Sequence, residues 1–473
     1  MNNETTGHSV SGLAAQTHRI EVERHPLPGL TIDGLNDVQR REAVVRVRAA
    51  THAISEGRER LAGGTTLTVR DANGVSATAM DVPLALALLG KDMPAIGALG
   101  LDGTVQPVRG ALLMVEAMKA RGSPYAFVPV DNAAEAALAG IPVYPVRHLR
   151  ELLLPLEEHS AFVPAAPRPA PLPDLADLRG QGPARRALEI AAAGGHHLLL
   201  SGSPGAGKTM LARRLPGILP ALGPAEALEL TRILSVAGLN IGQGLAARPP
   251  FRAPHHTVTA AGLIGGGRPL AGPGELTLAS HGVLLLDELP ELQRQTLEML
   301  REVLAKGEVV LSRAPGTLRY PADAIVVGAM NLCPCGASAP RCRCDTSAIS
   351  RYRGRVTSAC GWFDVQVRLD PIPLSAVAEQ PPGEASSFVA ERVSLARGRQ
   401  QLRQEKVNGR LTASELDELA PPDAAAGALV GRAALTTEQN TRLRRVARTI
   451  ADLDESDVLH AHHVAEALQL VAT

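Results

Sequence analysis

Apolar and polar positions in the first third of the chain alternate between strand-like and helix-like spacing. Strand-like runs occur at TTLTVRD (65–71) and YAFVPV (125–130), and helical spacing at AMDVPLALALLG (79–90) and LLMVEAMKARG (112–122). Both helical stretches end at a glycine, as helices commonly do. With LDGTVQPVRG (101–110) as a turn between strands, this pattern predicts an α/β unit.

The pattern changes twice further along the chain. Up to about residue 371, apolar strands alternate with helical stretches, which is typical of a mainly parallel sheet. From about residue 372 the sequence is almost entirely helix-like, with interruptions at PPG (381–383) and PPD (421–423). A proline-rich segment, AFVPAAPRPAPLPDLADL (161–178), precedes the second pattern and predicts a stiff connector. We therefore predict an N-terminal α/β domain, a linker, a parallel-sheet α/β domain and a C-terminal helical domain at 1–160, 161–178, 179–374 and 375–473.

Composition narrows the range of functions. The 473 residues contain 48 Lys plus Arg and 48 Asp plus Glu, so a uniformly basic nucleic-acid coat is excluded and any polyanion must bind to local patches. No signal peptide or apolar run long enough to span a membrane is visible. Four of the five cysteines fall within residues 333–344, which is unlike a secreted disulfide framework. We expect a cytoplasmic protein without a membrane partner.

A phosphate-binding loop follows the apolar run HHLLLS (196–201). The spacing is GxxxxGKT between a predicted strand and helical sequence (MLARRLPGIL, 210–219), the context such a loop requires. Its glycines let backbone N–H groups approach phosphate oxygens, Lys208 would reach the β- and γ-phosphates of ATP, and the Thr209 hydroxyl would bind Mg²⁺. The predicted nucleotide-binding residues are Gly202, Ser203, Pro204, Gly205, Ala206, Gly207, Lys208 and Thr209.

Two further strands end in polar side chains. GVLLLDE (282–288) predicts a buried strand that carries Asp287 to Mg²⁺ and Glu288 to the attacking water as general base. AIVVGAMN (324–331) predicts a strand ending in Asn331, which would orient that water. Taken alone, the first string fits a core strand with a charged end, and Asn331 fits a turn residue. The phosphate loop favours the catalytic interpretation of both.

Several segments resemble the Mg-chelatase-like AAA+ ATPases of the competence protein ComM (YifB) family. The most specific are RPPFRAPHHTVTAAGLIGGG (248–267), GPGELTLASHGVLLLDELPE (272–291), MNLCPCG (330–336), SRYRGR (350–355) and RVARTIADL (445–453). The resemblance implies an AAA+ domain with a C-terminal helical lid, ATP and Mg²⁺ as ligands, and a ring, expected to be a hexamer, that moves DNA during recombination of incoming strands.

The resemblance extends to the N-terminal domain, which is similar to the proteolytic domain of Lon. LGLDGTVQPVRG (99–110) and NAAEAAL (132–138) match the family there. Ser76 lies near the position of the Lon serine, but the Lon catalytic lysine is missing and Lys119 is out of register. A protease needs both a nucleophile and a base, so proteolysis is disfavoured.

Two arginines of the family pattern are replaced in this chain. TSACGWFD (357–364) lacks the arginine that completes a neighbouring subunit's site, and Trp362 stands nearest its position. Arg353, or its neighbours Arg351 and Arg355, would take the catalytic role instead. In the lid, Glu438 stands where relatives carry an arginine. The candidates to replace that lid arginine are Arg442, Arg445 and Arg448.

The cysteines and one loop supply further candidate sites. Cys333, Cys335, Cys342 and Cys344 could place four thiolates around Zn²⁺, although CxC spacing is less typical of zinc than CxxC, and a metal-free cysteine loop is the alternative. A hairpin in the loop system 251–267, with Phe251, Arg252, His255 and His256, could contact DNA phosphates in a ring channel, or these could be ordinary polar loop residues.

Three classes of function remain open from the sequence. The first is a DNA motor driven by ATP hydrolysis. The second is a chelatase-type ATPase subunit that drives metal insertion into a tetrapyrrole, which the additional N-terminal domain disfavours. The third is a nucleotide-binding protein with weakened hydrolysis. DNA-stimulated ATPase activity separates the first class from the other two.

Overall fold

Two β-sheets organise the chain, one in its N-terminal part and one in its middle. A computed structural model describes residues 4–26, 28–54, 57–58, 61, 63–71, 77–165, 171–267, 272–313, 316–336, 342–372, 375 and 380–471. No helix within these ranges is both long and apolar enough to cross a membrane.

The N-terminal sheet has four strands in the order β1-β2-β4-β3, and only β3 and β4 are parallel. Its strands are β1 Glu4–Ser11, β2 Ala14–His25, β3 Gly29–Asp33 and β4 Gly64–Val69. The helices of this part are α1 Asp37–His52, α2 Asp81–Leu89, α3 Ala111–Ala120 and α4 Ala133–Ala136. Short strand pairs connect them at β5 Ala98–Leu99 with β6 Val105–Gln106 and β7 Ala126–Pro129 with β8 Val143–Val146. As the sequence predicted, α2 ends at Gly90, which has a φ of 71°.

The central sheet has five strands, all parallel, in the order β10-β13-β16-β9-β17. They are β9 Leu198–Gly202, β10 Phe251–Arg252, β13 Val283–Leu286, β16 Ile325–Met330 and β17 Val365–Leu369. Leu198 and Leu200 belong to one buried cluster, whereas Leu199 belongs to another. Because successive strand side chains point to opposite faces, the sheet is covered on both sides, and its strands are accordingly continuous apolar runs.

Helices and two hairpins surround this sheet. The helices are α5 Gly182–Gly194, α6 Lys208–Ala212, α7 Pro224–Ala237, α8 Ala260–Ile264, α9 Glu275–Leu278, α10 Arg294–Lys306 and α11 Thr346–Cys360. The hairpin strands are β11 Gly265–Gly266 with β12 Gly272–Pro273, and β14 Glu308–Arg313 with β15 Gly316–Pro321. The expectation of helical structure through 210–219 is met only in part, because α6 ends at Ala212 and a 3₁₀ turn follows at Leu215–Gly217. Pro216 has no backbone N–H with which to continue an α-helix.

The C-terminal part is helical, as the sequence predicted. Its helices are α12 Ser386–Gln404, α13 Ala413–Leu419, α14 Ala424–Arg432, α15 Thr437–Leu453 and α16 Ala461–Leu470. Val446 and Ile450 of α15 share a buried cluster with Leu198 and Leu200 of the central sheet. The mixed α/β class, the parallel sheet and the helical C-terminal region are therefore confirmed, and the first two are consistent with an AAA+ fold.

The N-terminal part packs directly on the central part through α3 and α7. Arg232 of α7 forms an ion pair with Glu116 of α3 at 2.7 Å. At the start of α3, the backbone N–H of Gly110 donates to the carbonyl of Ser235 at 2.9 Å. These contacts attach the N-terminal sheet to a helix of the central part.

His281, in the turn before β13, makes folding stability depend on pH. Its Nε2 lies 2.6 Å from Glu229 and its Nδ1 lies 3.6 Å from Asp323. Burial alone would lower the pKa of His281, but hydrogen bonds to the two carboxylates outweigh burial and raise the pKa to about 9. A group whose pKa is raised on folding stabilises fully below its unfolded pKa, about 6.5, and loses that contribution as pH rises through its folded pKa.

We therefore expect the free energy of unfolding to fall between about pH 6.5 and 9, by up to about 3 kcal/mol. Urea unfolding at a series of pH values would measure this. The His281→Asn variant, which tolerates the left-handed backbone at this position (φ 61°), should show a much smaller fall. Equal slopes in the two proteins would contradict the assignment.

Candidate nucleotide-binding site

The phosphate loop lies where β9 ends and α6 begins. Gly205 and Gly207 have φ values of 77° and 96°, a left-handed conformation that favours glycine. A Cβ placed on either glycine would meet no atom within 4 Å. The loop backbone is therefore open on this side, and a phosphate group could approach its N–H groups.

Lys208 is buried and lies at the centre of the loop. Its ammonium group donates to the carbonyls of Gly202 at 2.8 Å and Ser203 at 2.9 Å, and to the side-chain oxygen of Asn331 at 3.1 Å. Burial lowers the pKa of Lys208, and the nearby Asp287 carboxylate opposes this shift. The structure thus brings together residues predicted from three separate strands.

Thr209 and Asp287 form an oxygen pair suited to Mg²⁺. The Thr209 hydroxyl donates to the Asp287 carboxylate at 2.9 Å. Asp287 follows β13 and Asn331 follows β16, and these strands lie side by side and parallel to β9. Their carboxyl ends meet at one edge of the sheet, which places both side chains beside the phosphate loop.

Glu288 contacts a partner that the sequence did not indicate. Its carboxylate lies 2.7 Å from Nδ1 of His256, and its backbone is left-handed with a φ of 52°. The Glu288 side chain is half exposed, and its backbone N–H donates to Asp287 at 2.9 Å. From the sequence, His256 was a candidate DNA contact. The sequence did not indicate the contact with Glu288, because no spacing rule connects the loop after one strand to the end of the next strand in the sheet.

Part of the candidate DNA loop, 251–267, forms contacts within the protein. Arg252 forms two hydrogen bonds with Glu275, at 2.7 and 2.8 Å, which raise the pKa of Arg252. The hairpin predicted within 251–267 is not formed there, because Ala260–Ile264 is a short helix. The antiparallel pair of β11 and β12 follows that helix, and its connecting residues 268–271 lie outside the described residues. The hairpin of β14 and β15 was missed, although EVVLSRAPGTLRYP (308–321) carries a signal for it, a Pro-Gly dipeptide between two runs with β-branched and aromatic residues.

The arginines proposed for the lid are engaged within the lid. Arg448 is fully buried and bonds Asp452 at 2.8 Å, and Arg445 donates to the carbonyl of Leu411 at 2.6 Å. Arg442 lies 3.3 Å from Glu438, the carboxylate that the resemblance placed at the position of the lid arginine. In this conformation Arg445 and Arg448 stabilise the lid and are not presented to a phosphate group.

Trp362, Arg353 and Arg355 were considered for the arginine that would complete a neighbouring subunit's site. Trp362 is buried, stacks on Phe363 with ring centroids 4.1 Å apart and lies edge-on to His197 at 5.5 Å, so it belongs to the core and is no surface substitute for an arginine. Arg353 belongs to α11, but its side chain lies outside the described residues. Arg355 of the same helix lies over the Tyr352 ring at 5.8 Å.

The remaining candidates are the cysteines of the possible metal site and the protease-like residues of the N-terminal part. The four cysteines at 333–344 are brought together, with sulfur atoms that all lie within 4.8 Å of one another. In the N-terminal part, Lys119 donates to the carbonyl of Ala139 at 2.8 Å, and Ser76 lies outside the described residues.

Comparison with known proteins places these features in a family. The family described as "Magnesium chelatase, subunit ChlI" matches residues 174–376, and "Magnesium chelatase, subunit ChlI C-terminal" matches residues 383–470. The chain is 37% identical to YifB of Escherichia coli K12, over 98% of this chain and 96% of that protein. It is 41% identical to Rv2897c of Mycobacterium tuberculosis H37Rv, over 82% and 81%. It is 38% identical to competence protein ComM of Haemophilus influenzae, over 62% and 59%.

Proposed function

This chain belongs to the ComM (YifB) family of Mg-chelatase-like AAA+ proteins, and on that premise we propose that it hydrolyses ATP to move DNA. The observation that carries the ATPase proposal is the cluster at the carboxyl edge of the central sheet. Lys208, Thr209, Asp287, Glu288 and Asn331 come from three neighbouring strands and lie in or next to a single phosphate loop.

We assign each of these residues a role in hydrolysis. Lys208 exchanges its bonds to loop carbonyls for bonds to the β- and γ-phosphates. Thr209 and Asp287 supply the oxygen ligands that Mg²⁺ prefers. The ion, when bound, neutralises the charge that develops on the phosphates. Glu288 accepts the proton of the attacking water, and Asn331 holds that water by hydrogen bonding.

The contact between His256 and Glu288 bears on the same step. A carboxylate held at 2.7 Å by an imidazole has one oxygen less available to a water molecule. The other carboxylate oxygen remains available to accept a proton, so the contact with His256 orients the proposed base. This makes the loop after β10 part of the proposed catalytic cycle.

For the whole protein we propose a cytoplasmic ring, expected to be a hexamer, that acts on DNA during the uptake and recombination of incoming strands. The name of the Haemophilus relative, a competence protein, supports this. Arg353 on α11 is proposed to reach the active site of the neighbouring subunit. We retain the division into 1–160, 161–178, 179–374 and 375–473, with the first domain as a scaffold or DNA-binding surface.

Chelatase-type metal insertion is the alternative with its own support, because both matched family descriptions name magnesium chelatase. Those matches leave residues 1–173 uncovered, whereas YifB matches nearly the whole chain, including the N-terminal part that packs on α7. The additional N-terminal part disfavours the chelatase-type alternative. A protein with weakened hydrolysis is the third candidate, and the hydrogen bonds that hold Arg445 and Arg448 within the lid support it.

We expect DNA to raise the rate of ATP hydrolysis several-fold at low salt, and ATP with Mg²⁺ to convert the protein into a closed oligomer. Protein–phosphate contacts release counterions, so stimulation should largely disappear between about 50 and 200 mM salt. A coupled ATPase assay with single-stranded, duplex and branched DNA measures the first effect, and light scattering measures the second.

The Lys208→Ala variant serves as the control for nucleotide dependence, since it should neither hydrolyse ATP nor assemble in response to it. Hydrolysis that DNA leaves unchanged at low salt would contradict the motor proposal. An oligomer without DNA stimulation would favour the chelatase-type alternative. A protein that binds ATP without measurable hydrolysis would favour the third candidate.

A further inference from the structure

Four cysteine sulfurs lie in one cluster beside the phosphate loop. Cys333 and Cys335 follow β16 directly, and Cys342 and Cys344 precede α11. The Sγ atoms of Cys333 and Cys335 are 3.2 Å apart, those of Cys335 and Cys342 are 3.7 Å apart, and those of Cys342 and Cys333 are 3.6 Å apart. All four sulfurs lie within 4.8 Å of one another.

These separations fit a tetrahedral metal site. Four thiolates about 2.3 Å from a central Zn²⁺ have sulfur–sulfur distances of about 3.8 Å. All four cysteines are free thiols, and the 3.2 Å between Cys333 and Cys335 exceeds the length of about 2.05 Å that a disulfide bond requires. The CxC spacing, which made zinc uncertain from the sequence, therefore does not prevent the four sulfurs from converging.

We propose that Cys333, Cys335, Cys342 and Cys344 bind one Zn²⁺ ion, and that this ion fixes the turn between Asn331 and the phosphate loop. The second part rests on the proposed ATPase function, whereas the first does not. A site closed by four protein thiolates leaves no coordination position for substrate, so the role of the ion is structural.

The turn that carries the first two cysteines is packed against the phosphate loop. Gly336 has a φ of 73°, and its backbone N–H donates to the carbonyl of Cys333 at 3.0 Å. A Cβ on Gly336 would lie 2.7 Å from Cγ of Pro204, which leaves no room for a larger residue. A metal ion on this turn would therefore hold one wall of the phosphate loop in place.

The same turn begins next to the residue proposed to orient the attacking water. Asn331 precedes Cys333 by two residues, and its carbonyl accepts a hydrogen bond from the Tyr352 hydroxyl at 3.0 Å. Tyr352 belongs to α11, which follows Cys344 along the chain. The cysteine cluster thus joins the segment that follows Asn331 to the start of α11. Loss of the ion would therefore loosen the position of the Asn331 side chain.

The test is the metal content of the full chain, purified without chelators and measured by mass spectrometry of the elements. We expect about one zinc ion per chain, and replacement by Co²⁺ should produce the intense visible bands of a tetrahedral tetrathiolate site. The double variant Cys342→Ser, Cys344→Ser should lose both signals. Cys360→Ser, which removes the remaining cysteine of the sequence, should keep them.

Measurements of zinc content and of ATP affinity in the same variants test the two parts of the proposal separately. Lys208→Ala should retain its zinc, which shows that the metal site does not depend on the nucleotide site. The double cysteine variant should bind ATP about tenfold more weakly than the parent, and Cys360→Ser should bind it equally well.

A parent protein without zinc, and without the cobalt spectrum after addition of Co²⁺ under reducing conditions, would overturn the metal site even if the double variant did not fold. Unchanged ATP affinity in a folded, zinc-free double variant would overturn the role in positioning the phosphate loop.

Discussion

Replacement of Lys208 by alanine is expected to weaken ATP binding by about a hundredfold or more, because it removes a charge-assisted bond to the phosphates. Lys208 is the only cationic side chain of the phosphate loop, and the 2.8 and 2.9 Å contacts to the Gly202 and Ser203 carbonyls hold it inside that loop. The variant also leaves those two carbonyls without this donor.

Calorimetric titration with ATP and Mg²⁺ measures this effect. Lys306→Ala is the matched control, because Lys306 is exposed at the end of α10 and pairs only locally, with Glu302 at 2.6 Å. The control should bind ATP as tightly as the parent. If Lys208→Ala bound ATP with parental affinity, the assignment of this loop to nucleotide would be wrong.

Replacement of Glu288 by glutamine is expected to slow ATP hydrolysis about a hundredfold or more while ATP binding is kept. Glutamine has nearly the same shape and can still bond to His256, but it cannot accept a proton from water. Since Glu288 contacts neither Lys208 nor Thr209 among the hydrogen bonds described, the phosphate loop itself should be undisturbed.

Single-turnover hydrolysis, measured beside an equilibrium titration with ATP, separates the two effects. Glu291→Gln is the control, since Glu291 is an exposed acid in the turn that follows Glu288. It should hydrolyse ATP at the parental rate. Equal rates in the Glu288→Gln variant and the parent would assign the base to another residue.

The nucleotide site was largely predictable because its information is local in sequence. The phosphate loop is one continuous motif, and each of the two polar strand ends follows its own apolar run. A parallel sheet then brings the carboxyl ends of β9, β13 and β16 to one edge, so the meeting of Lys208, Asp287 and Asn331 follows from strand order. The class of the fold followed from the same alternation of strands and helices.

Features that depend on contacts between distant segments were not predictable. His256 looks like a polar loop residue until the neighbouring strand places Glu288 beside it. Arg448 looks like a surface cation on an amphipathic helix, but it is buried, where the Asp452 carboxylate balances its charge and the carbonyls of Ser456 and Asp457 accept its remaining hydrogen bonds. Trp362 follows a helix in the sequence. Its burial depends on ring contacts with Phe363 and with His197, which is distant in the sequence.

The burial of Trp362 has an optical consequence. The sequence contains one tryptophan, so all indole fluorescence of the chain originates at this ring. Arg355 and Arg294 lie around the same pocket, at the junction of α10 and α11. Burial lowers the pKa of the adjacent His197 to about 4, so this imidazole is neutral near pH 7 and does not add a pH-dependent quencher there. The emission of the unmodified protein therefore reports on the helix that carries the arginines proposed to face a neighbouring subunit.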